Sequence, residues 1–439
     1  MNLSRALRAG PRSKVAFTGA GGKTTAVFRL ARELLEVSVT VLVTTTTHFG
    51  VDQLQLGDRH LALTGPDGLE DALDPAIGLI VVTSGVEAAD RVTGVDPATA
   101  AALARHADRR GLPLLIEADG ARMKPLKAPA AHEPAVPDSV DTVVVVAGLS
   151  GLGRPADPGS VHRPERFREL AGLRPGEIVT PEALAAVLRS PDGGRKGLPS
   201  GARAVALLNQ ADTPELQGQG RRIAADLAGD FDAVLVASLG SEGQVFAVHE
   251  PAAGIVLAGG ASTRMGRPKQ LLDWGGKPLV AHVAGVALAA GCDPVVVVVG
   301  SEGAAVAAAV AGMPVRVVRN PDWEAGQSTS VRAGLREVGR AGSALFLLVD
   351  QPFVEATMIR KLIETHAASL APIVAPLIGD RRGNPVLFDR GSFPDFETLT
   401  GDSGGRQLFS RYSVEWVQWH DERALIDLDT EGEYREAVA

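Results

Sequence analysis

The chain has 439 residues, enough for about two or three domains, and its 45% hydrophobic and 22% charged residues are ordinary for a globular protein that buries a large core. With 52 acidic against 44 basic residues the formal net charge is -8, which argues against a nucleic-acid binder working through a broad basic surface. No apolar run approaches the roughly 20 residues of a membrane span. The opening MNLSRALRAGPRSK lacks a signal-peptide core, and the single cysteine, Cys292, excludes an intrachain disulfide and a CxxC zinc site. A cytoplasmic protein with neither membrane nor nucleic-acid partners is expected.

Short apolar runs bounded by Gly, Pro and Asp recur along the chain and read as strands buried on both faces of a parallel sheet. The first series is VAFT before Gly19, VTVLVT to Thr44, LIVVTS to Ser84, LPLLIEAD to Asp119, TVVVVAG to Gly148 and AVALLN to Asn209. After Lys23, the apolar positions Val27, Leu30, Ala31, Leu34 and Leu35 keep helical spacing. A second series begins with GIVLAGG at Gly254 and continues with PVVVVVG, ALFLLVD, IVAPL and NPVLF. Each series opens as strand, glycine loop, helix. The expected fold class is therefore α/β, with two fused nucleotide-binding domains over 1–245 and 251–439. The first is a P-loop-like parallel sheet and the second Rossmann-like, with the junction inside 241–254.

The first loop holds Gly19, Gly21, Gly22, Lys23, Thr24 and Thr25. Glycines let backbone amides approach phosphate oxygens, and the helix N-terminus adds a favourable dipole. Lys23 is placed to neutralise outer phosphates and the Thr24 hydroxyl to ligate magnesium. Phe17 stands where the longer P-loop pattern has its first glycine, so the loop takes the shorter GxxGKT form, similar to the nucleotide loop of Mur-type ligases. Glu117 and Asp119 end a later strand, where acids hold magnesium or its waters. Thr44, Thr45, Thr46, Thr47 and His48 end another. The Asn209–Asp212 stretch, NQAD, resembles the guanine-reading NKxD with Gln in place of Lys, and Asp212 is either a base acceptor or a turn former. ATP and GTP both remain open for this domain.

The second loop runs LAGGASTRMGRPK from Leu257 and Ala258 through Gly259, Gly260, Ser262 and Arg264 to Lys269. Nucleotidyl transfer needs an amide cradle for a triphosphate and cations for the departing pyrophosphate; the glycines supply the first, Arg264 and Lys269 the second. Asp350, at the end of LFLLVD, is the expected magnesium ligand, and Asp427 or Asp429 in IDLDT its candidate companion. Cys292 reads as a buried, inert thiol.

Two resemblances rest on these strings. With GAGGKTT and TVLVTTTTH, the segments EADGARMKPLKAPAAHEP, VHRPERF and LLNQAD resemble the YqeC-type selenium-dependent hydroxylase accessory proteins over most of 10–240. That resemblance implies a role in maturing a hydroxylase, an apo molybdenum hydroxylase as client, and Lys124, Lys127, His132, His162 and Arg163 as candidate anion-binding or catalytic groups. Residues 254–439 resemble the MobA-like nucleotidyltransferases, most closely the molybdenum cofactor cytidylyltransferases of MocA type. The matching strings are the second loop, NPDWEAGQSTSVRAGL, VDQP, GNPVLF, GDSGGR and DLDTEGEY. The implied substrates are CTP and the molybdenum cofactor (molybdopterin), with Gln327, Ser328 and Ser330 near the base or pterin, and Asp402 and Arg406 helping to close the site. At Asp429–Tyr434 the chain departs from that family, which reads closer to DTPEDY. GTP as donor, a sugar-phosphate acceptor, and a non-catalytic, nucleotide-gated carrier stay open.

Overall fold

The computed structural model describes residues 1–438 apart from 75, 89, 241 and 242. The chain divides into two compact units, Met1–His249 and Glu250–Ala439. In the first unit the apolar runs form β1 (Lys14–Gly19), β2 (Thr40–Thr45), β3 (Arg59–Ala62), β4 (Gly78–Thr83), β5 (Leu114–Glu117), β6 (Thr142–Gly148), β7 (Arg203–Asn209), β8 (Ala233–Ser238) and β9 (Gln244–His249). They make one nine-stranded sheet, ordered β9-β8-β7-β6-β1-β5-β2-β4-β3. Every pairing is parallel except the antiparallel edge pair β8–β9. β-Branched residues suit this pleated, doubly covered surface. Val143 and Val145 join Ala16, Leu42, Ile80 and Ile116 in one core, and the alternate residues Val15, Phe17, Val41, Val43 and Val144 are equally buried. Helix α1 (Lys23–Leu34) buries Val27, Leu30, Ala31 and Leu34 and packs on β1, β2 and β5.

The second unit is an eight-stranded sheet with β10 (Ala252–Ala258), β11 (Val295–Val299), β12 (Arg316–Arg319), β13 (Ser343–Leu348), β14 (Ile373–Ile378), β15 (Arg381–Arg382), β16 (Val386–Asp389) and β17 (Val414–Trp419). Its order is β12-β11-β10-β13-β16-β14-β15, with β17 parallel to β14. Period-two alternation divides the interior. Val256, Ala258, Val297 and Leu347 enter one core, and Ile255, Leu257, Val298 and Phe346 the other. The sheet is mixed, because β16 pairs antiparallel with both β13 and β14.

The stretch 241–254, where the junction is expected, contains the division between His249 and Glu250 and is mostly strand. Its first two residues lie outside the described residues, Gln244–His249 is β9, and Ala252 already begins β10. Val245 and Ala247 are buried, so this edge is held by the first core.

Parallel pairing sends strand C-termini to one edge. Leu257 of β10 stands opposite Leu348 of β13, which brings the loop after Ala258 beside Asp350. In the first unit Gly19 stands opposite Val146 and Gly148 opposite Asn209, so the loop after β1 faces the ends of β6 and β7.

Candidate active site

In the second unit Lys269 sits between two carboxylates. Its Nζ is 2.5 Å from Asp350 Oδ2 and 3.1 Å from Asp429 Oδ1, and Arg264 Nη1 reaches the other Asp429 oxygen at 2.5 Å. Burial pulls against the Lys269 charge, but Asp350 and Asp429 outweigh it and raise the ammonium pKa. Burial also raises the Asp429 carboxyl, and Lys269 and Arg264 reverse that to leave it below its usual range. Asp427 turns elsewhere and accepts from Gln351 Nε2 at 2.7 Å. Burial, with Asp350 and Asp429 nearby, pushes its carboxyl upward.

The loop over this cluster is braced from inside. Gln270, 1% exposed, donates from Nε2 to the carbonyls of Ala258 (3.1 Å) and Gly260 (2.7 Å). Ser262, at φ 54°, accepts from the Lys269 amide at 3.1 Å and donates to Gln270 Oε1 at 3.3 Å. The Ser262 hydroxyl is thereby committed to the loop itself. Leu257 and Ala258 point into the two cores, so only their backbone faces a ligand. A Cβ on Gly259 would stand 3.3 Å from Ser330 Oγ, while one on Gly260 would meet open space. Among the described residues the amides of Gly260 to Arg264 have no protein acceptor, which suits a phosphate cradle.

Helix α2 (Gln327–Leu335) borders the same edge. Ser330 Oγ accepts from Asn320 Nδ2 at 2.9 Å, and the Gln327 amide donates to Asp402 Oδ1 at 3.2 Å. Gly404 touches Gln327, since a Cβ there would stand 2.8 Å from its Oε1. Arg406 is exposed and, after burial, is the charge that lowers the Arg382 pKa. Ser328 Oγ and Gln351 Oε1 are buried with no hydrogen-bond partner among the described residues.

The first unit repeats the theme of a lysine held by acids. Gly19, Gly21 and Gly22 have φ of 89°, 86° and 108°, values that a side chain would strain. Gly21 has a second reason to lack one, since its Cβ would fall 2.3 Å from the Gly148 nitrogen. Lys23 is 4% exposed; its Nζ donates to Gly19 O at 2.7 Å and lies 3.1 Å from Asp119 Oδ1. Thr24 Oγ1 donates to Glu117 Oε2 at 2.8 Å, while Thr25 is exposed. Burial raises the Glu117 carboxyl against the pull of Lys23 and Thr24. Asp119 Oδ2 accepts from the Gly19 amide (3.0 Å) and Lys127 Nζ (2.9 Å). Lys127 then reaches Glu133 at 2.7 Å, which Arg163 grips with two hydrogen bonds of 2.8 and 2.9 Å.

The hydroxyls of Thr44 and Thr45 donate to the carbonyls of Val82 and Glu117 and so tie neighbouring strands, while that of Thr46 donates to Ala135 O. His132 is exposed, and Lys124 Nζ donates to Gly159 O at 3.3 Å. Burial, then the charges of Arg163 and Lys127, lower the His162 pKa to about 4, so its ring is neutral at pH 7. Cys292 is buried, which pushes its thiol up to about 12.

The Glu133 cluster carries an acid dependence. Burial raises its carboxyl, but Arg163 and Lys127 prevail and hold it at about 2. The folded pKa lies below the unfolded one, so this contribution is complete above the ordinary Glu range and fades as pH falls towards 2. Glu133→Gln is expected to lower the first unit's Tm at pH 7, with the gap to wild type narrowing below about pH 5 and closing only near pH 2. Thermal scans across that range check it, and a gap independent of pH would contradict it.

Residues 254–416 match the family model of the MobA-like NTP transferase domain, and residues 15–165 that of the YqeC protein. The chain is 35% identical over 187 residues to nicotine blue oxidoreductase of Paenarthrobacter nicotinovorans, covering 40% of this chain and 91% of that protein. It is 34% identical over 207 residues to YqeC of Escherichia coli K12, covering 45% and 75%. A probable molybdenum cofactor guanylyltransferase of Mycobacterium avium is 30% identical over 189 residues, covering 42% and 93%.

The chain belongs to the MobA-like NTP transferases and carries a YqeC domain. It is a nucleotidyltransferase, and no described helix is long and apolar enough to cross a membrane.

The acids of the transferase unit do not form a ready-made metal cage: among the described residues no three of His, Cys, Asp or Glu converge on one point. Asp350 and Asp429 share the Lys269 ammonium instead, and Asp427 is tied to Gln351. In the YqeC unit Lys23 likewise fills the space between Glu117 and Asp119. Hard carboxylate oxygens that already attract a cation fit magnesium completed by phosphate oxygens and water. Sequence reasoning assigns no role to Gln270, Gln351 or Asn209. Asn209 donates from Nδ2 to Gly21 O at 2.8 Å and so clamps the first loop. Asn209 and Gln351 lie inside motifs that are noted and Gln270 beside one, but a side-chain amide that bonds a loop carbonyl or, for Gln351, the Asp427 carboxylate leaves no periodic signal.

Proposed function

We propose that the transferase unit catalyses magnesium-dependent transfer of a cytidylyl group from CTP to the molybdenum cofactor. A terminal phosphate oxygen of molybdopterin attacks the α-phosphorus; the bond to the β-phosphate oxygen breaks, and pyrophosphate leaves. The observation that carries this reading is Lys269 held between Asp350 and Asp429 beneath the 259–269 loop. The amides of Gly260 to Arg264 donate to phosphate oxygens, and Lys269 and Arg264 balance the charge of the departing pyrophosphate. Asp350 and Asp429 would hold the magnesium, which supplies electrostatic stabilisation of the phosphates. Gln327, Ser328 and Ser330 are assigned to the base or pterin, and Asp402 with Arg406 to closure. The attacking phosphate is already anionic, so the reaction needs positioning more than a general base.

Cytosine rests on the resemblance to MocA-type enzymes. A GTP-using reaction is the second reading, favoured by the relative named as a guanylyltransferase. Mass analysis of the pterin product after incubation with both CTP and GTP tests the choice. The cytosine dinucleotide is expected, and a guanine dinucleotide would replace it under the second reading. A cofactor bound but returned unchanged would favour a nucleotide-gated carrier.

The YqeC unit, by the same reasoning, is a nucleotide-triphosphate-binding accessory that serves a molybdenum- or selenium-dependent hydroxylase as client. Support comes from the 19–25 loop opening helix α1, with Thr24 and Glu117 joined at 2.8 Å. Lys23→Ala in the full chain is expected to weaken binding of a fluorescent nucleotide triphosphate to this unit by about 100-fold, the loss of a buried charged contact. Unchanged binding in titrations would refute the assignment.

A further inference from the structure

The ends of β7 and β8 in the YqeC unit make a rigid polar platform that the phosphate loop alone does not explain. Asn209 is 3% exposed and spans two loops. Its Nδ2 donates to Gly21 O at 2.8 Å, and its Oδ1 accepts from the Leu239 amide at 3.0 Å. Gln210 holds φ 62°, which turns its side chain back to take a 2.6 Å hydrogen bond from Ser150. The Ala211 amide donates to Ala237 O at 2.9 Å. Asp212 is exposed, and Ser238 Oγ donates to its Oδ1 at 2.5 Å. One carboxylate is thus fixed by a hydroxyl and a pinned loop on a residue that is itself exposed.

The sheet order sets its distance from the phosphates. β7 is two strands from β1, and with neighbours ~4.8 Å apart that is roughly 10 Å. Asp212 follows β7 on the edge that also carries the 19–25 loop. A nucleotide whose phosphates lie at the helix N-terminus reaches this platform with its base.

We propose that Asp212 makes the YqeC unit specific for guanine nucleotides. This rests on the reading of that unit as a nucleotide-binding domain. A carboxylate accepts two parallel hydrogen bonds, and guanine offers two donors on one edge, N1–H and the 2-amino group. Adenine lacks the 2-amino group and turns the N1 lone pair towards the same oxygens, which repel it. Ser238 and the Asn209 clamp hold the carboxylate ready, so little ordering is needed on binding.

The test is competition binding on the full chain with a fluorescent GTP analogue, against unlabelled GTP, ATP and XTP. The component lost in Lys23→Ala defines the YqeC site and separates it from the transferase unit. Within that component GTP is expected to compete about 100-fold better than ATP, the discrimination of two hydrogen bonds to a charged group. In Asp212→Asn the side-chain oxygen still accepts N1–H and the amide N–H donates to the 2-oxo group of xanthine, so the preference should move from GTP to XTP. Equal competition by ATP in a Lys23-dependent component would overturn guanine specificity and leave the nucleotide site standing. The absence of any Lys23-dependent component would overturn both. An Asp212→Asn protein that keeps its GTP preference would show that another group reads the base.

Discussion

Asp350→Ala is expected to lower kcat for pyrophosphate release by about 10³-fold, within the range for removing one preorganised charged group from a phosphoryl-transfer site. Asp350 follows β13, whose residues Leu345 and Leu347 are buried, and its side chain is 19% exposed. The strand is therefore held by the core, and the variant should unfold at nearly the wild-type temperature. Its loss removes the shortest partner of Lys269, at 2.5 Å, and leaves Asp429 as the remaining assigned magnesium ligand. Raising magnesium should recover only a small part of the rate, because one carboxylate cannot restore the position set by two. Asp350→Asn keeps the volume and should be nearly as slow, which separates charge from packing. Near-normal turnover in either variant would remove Asp350 from the site.

Lys269→Ala should cost about 10²- to 10³-fold in kcat, or about 3–4 kcal/mol of transition-state stabilisation. The ammonium bridges Asp350 and Asp429, and its role in the proposed reaction is to move with the charge onto the leaving pyrophosphate. Lys269→Arg should recover part of the rate, since the charge returns in a different shape. Lys269 and Asp350 are in contact, so their effects should not add: the double variant is expected to be close to the slower single one. Strict additivity in a double-mutant cycle would mean that the two act independently, against their contact at 2.5 Å.

Much of the fold is legible in the sequence because central strands of a covered parallel sheet must be apolar on both faces. Val143 to Val146 and Val295 to Val299 announce themselves, and both are strands. Edge strands carry no such demand. Arg316–Arg319 has charged ends and little burial, Val414–Trp419 is largely exposed, and neither stands out as an apolar run. Gln244–His249 lies in the stretch that reads as the junction between the domains, and only its pairing with β8 makes it a strand.

The loops are legible for a different reason: glycine beside lysine or arginine after a strand is a local pattern. What they touch is not local. The Arg163–Glu133 and Arg264–Asp429 pairs join residues 30 and 165 positions apart in sequence. The departure at Asp429–Tyr434 casts doubt on Asp429 from sequence, whereas in space it is Asp429, not Asp427, that meets Lys269. The substitution there has a local use, since Glu433 Oε2 accepts from the amides of Asp429 and Thr430 at 2.9 and 2.8 Å and fixes the turn.

Nucleotidyl transfer to the molybdenum cofactor is best measured as pyrophosphate release from the full chain with magnesium, with and without the cofactor, comparing CTP, GTP and ATP. Release that requires the cofactor and is fastest with CTP is the expected result. No cofactor-dependent release with any of the three, from protein that binds both nucleotide and cofactor, would contradict it.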